Sequence, residues 1–111
     1  MKVLEQYIEC MRRGDQAGLA DLFSEDGVLH DSSLHKIGQD TMHLEGKMAV
    51  EMMFHHKFGF NGGPFPITGV RYKNDDTAWY FIQYDRTILA VTAFLSEVKD
   101  GHIARLNVYP L

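Results

Sequence analysis

The chain has 111 residues, 45% hydrophobic and 23% charged, with a formal net charge of −4, which suits one soluble domain around one core. It lacks the basic excess of a nucleic-acid binder, and its longest apolar run, Ile88 to Leu95, is too short to span a bilayer. A lone Cys10 offers no intrachain disulfide, and no charged-then-apolar leader opens the chain, so a reducing cytoplasmic location is expected.

Leu4, Tyr7, Ile8 and Met11 recur at i, i+3, i+4 and i+7, which predicts an amphipathic helix. Gly14 stops it, with Arg12 and Arg13 complementing its negative end. Asp15 then caps a second helix whose buried side is Leu19, Leu22 and Phe23. Ser24 to Gly27 reads as a tight turn and Val28 to Asp31 as a strand. Alternation along that strand puts Leu29 and Asp31 on one face, Val28 and His30 on the other. A carboxylate is therefore expected to point the same way as a leucine.

Ser32 to Glu45 is the loosest stretch. A third helix follows Gly46, with Met48, Ala49, Met52, Met53 and His56 expected to share its broad face and Val50 and Phe54 beside it. The Gly and Pro cluster from Gly59 to Pro66 ends it. Ile67 to Lys73, Thr77 to Tyr84, Thr87 to Val98 and Ile103 to Tyr109 then read as strands, the last two joined by a Lys-Asp-Gly turn suited to a hairpin. Two helices, a strand, a helix and an antiparallel meander make an α+β domain. The segment Ala78 to Asp85 is apolar on both faces, with Trp79 and Phe81 opposite Tyr80, Ile82 and Tyr84. A strand of that kind is covered on both sides, so a homodimer through the sheet is expected.

The run from Tyr7 to Asp31 resembles the nuclear transport factor 2-like superfamily, and within it the SnoaL-like and ketosteroid isomerase-like small enzymes. The resemblance rests on Gly14-Asp15 after the first helix, on Leu22, Phe23 and Asp26 at the following turn, and on a short strand ending in an acid. Glu45 to Val50 and Val98 to Tyr109 look like the family's third-helix start and closing hairpin. It implies one cystatin-like cone over residues 1–111: three helices packed in a strongly curved, mainly antiparallel sheet, with an apolar pocket at the mouth. It further implies a role for Tyr7 as hydrogen-bond donor to a substrate carbonyl and for Asp31 as the base beside it. Leu29, Phe54, Phe94, Leu106 and Val108 would wall the pocket, with Ser96 also reaching the ligand. The isomerases place a second acid near the position of Phe94. With Thr92, Phe94, Ser96 and Val98 read as the inward parity, no acid is there, and only the hydroxyls of Thr92 and Ser96 could donate instead.

Plainer roles stand beside these. Tyr7 can be a core tyrosine, and Asp31 can cap the Asp-Ser-Ser segment through local hydrogen bonds. His30, His35, His43, His55, His56 and His102 show no ligand spacing, so no metal is expected, nor any other cofactor. His43 and His56 are within range of the pocket as proton carriers, and Cys10 is expected to pack. The expected activity is proton abstraction next to a carbonyl in a small, mostly apolar ligand, by an isomerase, cyclase or dehydratase. Ligand binding without turnover and protein association are the alternatives, since fold alone does not choose among them.

Overall fold

The computed structural model describes residues 1–111. Helix α1 (Val3–Arg13) buries Leu4, Tyr7, Ile8 and Met11, together with Cys10. The Asp15 carboxylate accepts from the Gly18 amide at 2.9 Å and starts α2 (Gln16–Asp21), which buries Leu19 and Ala20. Strand β1 (Phe23–Asp31) is followed by a 3-10 turn (Ser33–Ile37), strand β2 (Met42–Glu45) and helix α3 (Lys47–Asn61). Four strands complete the chain: β3 (Ile67–Tyr72), β4 (Thr77–Tyr84), β5 (Thr87–Lys99) and β6 (His102–Pro110).

The strands form a six-stranded sheet in the order β2-β1-β6-β5-β4-β3. All neighbours are antiparallel except β1 and β6, which run parallel. The β5–β6 hairpin turns at Asp100 and Gly101, whose φ angles of 51° and 76° are those a two-residue turn requires. The three helices lie against one face of this open sheet. Between them sits a continuous core in which Ile8, Leu19, Leu29, Val50, Val91, Ile103 and Leu106 are wholly buried.

Four sequence expectations change. Leu22 caps α2 and Phe23 opens β1, so neither lies in the helix whose buried side they were expected to share with Leu19. Ser24 to Gly27 is not a free turn but a bulged part of β1. Phe23 pairs with Ile103 and Val28 with Arg105, so β1 carries extra residues there. Gly27 fits because a Cβ at that position would lie 2.6 Å from the Ile103 carbonyl oxygen. The stretch from Ser32 to Glu45 holds a strand, β2, which is short and alternates only over Met42 and Leu44. In α3 the buried stripe is Val50, Phe54 and Phe58, spaced i, i+4, i+8. Met48 and Met52 are 73% and 67% exposed, and His56 lies at the surface against Phe60. Hydrophobic residues surround this helix, so its periodicity did not single out the inner face; aromatic packing does. Phe54 meets Phe58, Phe58 meets Phe65, and Phe65 meets Tyr84, with centroids 5.5, 6.3 and 4.6 Å apart.

Candidate functional site

The inner face of the sheet and the helices enclose a small cavity. Tyr7 and Met11 reach it from α1, Phe54 and Lys57 from α3, and Asp31 and Val108 from β1 and β6. Tyr80, Ile82 and Tyr84 line it from β4, and Val91 from β5. Of the lining residues only Lys57 and Tyr84 are partly exposed, so they mark its mouth. The free space is about 10 Å³, room for roughly one water molecule.

Asp31 stands at the end of β1 because the strand's alternation turns it inward with Leu29, and it is only 7% exposed. The Ser33 amide and hydroxyl both donate to its Oδ1, at 2.9 and 2.5 Å. The carboxylate thus caps the 3-10 turn and lines the cavity at once, with no intrachain bond to Oδ2. Burial raises its pKa; the two Ser33 bonds oppose this, followed by the charges of Lys57 and His30. Burial likewise pushes Tyr7, Tyr80 and Tyr84 up, so all three phenols remain protonated donors. None of the three hydroxyls bonds to the chain, and no sealed polar side-chain atom is left unpaired, so each hydroxyl keeps access to the cavity. Burial lowers the pKa of Lys57 while the Asp31 charge pulls it back; no carboxylate lies within 4 Å of its ammonium.

The candidate site residues therefore divide. Tyr7, Asp31, Phe54 and Val108 line one cavity. Leu29 and Leu106 are fully buried behind it and belong to the core. Phe94 and Ser96 face the other way. Ala93 and Leu95 are buried, whereas Phe94 is 38% exposed, so the inward parity of β5 is Val91, Ala93, Leu95 and not the one expected. Ser96 donates to the Arg105 carbonyl and accepts from Asn107 on the outer surface. Thr92 is buried, yet on the outer face, in a row between Trp79 and Tyr109. Neither parity supplies an acid to the cavity.

His43 and His56 stay outside. His43 lies on the outer face opposite His30, their Nδ1 atoms 2.8 Å apart. Its Nε2 lies 3.1 Å from a Glu45 carboxylate oxygen, which can only accept, so that nitrogen is the donor of the pair. No group of three or more His, Cys, Asp or Glu side chains converges on a metal position. Lys57, Tyr80 and Tyr84 were not singled out from sequence, although the spacing holds a signal. Lys57 follows Phe54 by three residues on the same helix face, and Tyr80, Ile82 and Tyr84 alternate on one strand face.

No protein-family profile and no curated protein matches the chain. Solved structures do. An NTF-2 like protein of unknown function from Burkholderia xenovorans is 16% identical, with a TM-score of 0.68 over 97% of this chain and 79% of that one. The fold is that of the nuclear transport factor 2-like proteins. A Catenulispora acidiphila protein with a ketosteroid isomerase-like fold, solved with trimethylamine, is 14% identical with a TM-score of 0.67, covering 96% of this chain and 83% of its own. A Sinorhizobium meliloti protein provisionally described as a polyketide cyclase is 17% identical with a TM-score of 0.65, covering 96% and 92%. At these identities the nuclear transport factor 2-like architecture is shared and the chemistry is open. No helix of the chain is long and apolar enough to cross a membrane.

Proposed function

We propose that the chain removes a proton from carbon next to the carbonyl of a small ligand, in the manner of an isomerase, cyclase or dehydratase. The observation that carries this is the meeting of Asp31 and Tyr7, far apart in sequence, at one largely apolar cavity. Asp31 is the base: Oδ1 is held by Ser33 and Oδ2 is free to take the proton. Its raised pKa moves a carboxylate towards the range useful for carbon acids. Tyr7 donates to the oxygen as negative charge develops there. Tyr80, deep beside it, is the candidate for the second donor in place of an acid. The ligand enters as Lys57 and Tyr84 swing aside, since the closed cavity is small.

The test is deuterium incorporation next to the carbonyl of the neutral dione acetonylacetone, in D2O, by proton NMR. Asp31→Asn should slow it by about 10²–10⁴-fold, and Tyr7→Phe by about 10²–10³-fold, with circular dichroism unchanged. The wild-type rate should fall as pH drops through the raised pKa of Asp31, above the limb an ordinary carboxylate gives. Exchange at the wild-type rate in the Asp31→Asn protein would refute the assignment.

A second reading rests on the outer face. Phe81, Ile88, Phe94 and Tyr109 are 38–63% exposed there and adjoin half-buried Trp79. A homodimer through this face covers them. With so small a cavity, a dimeric association module or a ligand-binding protein without turnover is the alternative function.

A further inference from the structure

The cavity is not uniformly greasy, and its polar groups are sorted by depth. Asp31, Tyr7 and Tyr80 lie inside, each under a tenth exposed. Lys57 and Tyr84 stand at the mouth. Lys57 is the one cation among the lining residues, and it makes neither an ion pair nor a hydrogen bond within the chain. It is partly stripped of water without a counter-ion in contact. Asp31 attracts it only from beyond ion-pair distance and is itself held by Ser33. The Tyr84 hydroxyl, also without a partner in the chain, adds a neutral donor on the strand side of the same opening.

An ammonium and a phenol lining one opening make a receptor for an anionic oxygen pair, because both can donate to it and the ammonium also supplies the opposite charge. We infer that the ligand is a small keto acid, its carboxylate held at the mouth by Lys57 and Tyr84 while its carbonyl reaches Tyr7 and Asp31. This rests on the proposed base chemistry for the carbonyl end only. The charged end follows from the mouth residues alone. The geometry also explains how Asp31 tolerates an anionic ligand. The ligand's negative charge stays at the partly solvated rim, where water screens it, and Lys57 stands at that same rim. A neutral apolar ketone would leave the ammonium as unpaired as it is in the free protein.

The experiment compares two probes of nearly the same shape: levulinate, a keto acid, and acetonylacetone, in which an acetyl group replaces the carboxylate. Dissociation constants come from amide chemical-shift titrations of the wild-type protein and of Lys57→Met, Lys57→Arg and Asp31→Asn. Levulinate should bind the wild type about tenfold more tightly than the dione, the low end of what a hydrogen bond to a charged group is worth. Lys57→Met should erase that preference, and Lys57→Arg, which keeps the charge, should retain most of it. Equal affinity for the two probes in the wild type overturns the inference, as does a preference that survives Lys57→Met, or no binding of levulinate at all. Failure of the base chemistry looks different. In that case levulinate is still preferred and Lys57→Met still erases the preference, but neither probe takes up deuterium. Asp31→Asn should keep the preference while losing the exchange.

Discussion

The two faces of β4 and β5 carry similar apolar residues and meet different fates. On the inner face, Ala78, Tyr80 and Ile82 of β4 and Val91, Ala93 and Leu95 of β5 are all buried. On the outer face Phe81, Ile88 and Phe94 are left half open, although Trp79 and Tyr109 shelter Thr92 between them. Composition does not separate these faces; the helices do, because all three pack on one side. The difference teaches that an apolar residue in this sheet is fully buried within the chain mainly on the helix-covered side, and that on the other side much of its surface is left open.

The largest effect expected from this difference is at adjacent residues of β1. Leu29 is wholly buried on the inner face and His30 lies outside. Leu29→Ala should cost about 2–5 kcal/mol of unfolding free energy. His30→Ala should cost about 0.5–1.5 kcal/mol, the worth of its bond to His43. Urea denaturation of both variants measures the gap. Equal losses would mean that the outer face is as tightly organised as the core.

The next effect tests whether the outer face is filled by a second copy. Phe81→Asp should weaken the dimer by about 2 kcal/mol or more, roughly 30-fold in dissociation constant, while the monomer stays folded. The Phe81 side chain also crowds Gly69, where an added Cβ would sit 2.8 Å from it. Ile88→Asp, at the most exposed of these outer positions, is therefore the companion variant. Sedimentation velocity reads the outcome. A wild-type protein that sediments as a monomer at micromolar concentration removes the dimer outright.

Much of this architecture was legible because its signals are local. The α1 stripe, the Gly14 stop, the Asp15 cap and the Asp100-Gly101 turn each announce themselves within a few residues. Asp31 was legible too, through simple alternation from Leu29. What escaped depended on distant partners. The parity of β5 was ambiguous because both its faces are apolar, and Phe94 was accordingly turned the wrong way. The inner face of α3 was hidden among hydrophobic residues on every side, which concealed Lys57 next to Phe54. His30 and His43 meet only through the β1–β2 register, and no spacing rule within one element reveals that.

The smallest effect expected concerns the polar exception on the inner face. Burial raises the pKa of Asp31 in the folded chain above its ordinary 3.8. The folded state therefore holds that proton more tightly than the unfolded state does. The resulting stability is fully present below the unfolded pKa, declines as pH rises towards the folded pKa, and stays lost above it. At neutral pH the buried charge is a cost that an amide would not carry, and an amide oxygen can still accept from Ser33. Asp31→Asn should thus be more stable than wild type at pH 7, by about 0.5–2 kcal/mol, the range usual when a functional group's strain on the fold is relieved. The gain should vanish near pH 3, where both proteins are neutral at that position. Urea denaturation at the two pH values separates the possibilities. A variant that is less stable at neutral pH would mean that the Ser33 bonds and the pull of Lys57 outweigh desolvation. Asp31 would then be a cap that happens to lie beside a cavity, and the case for a poised base would lose its physical ground.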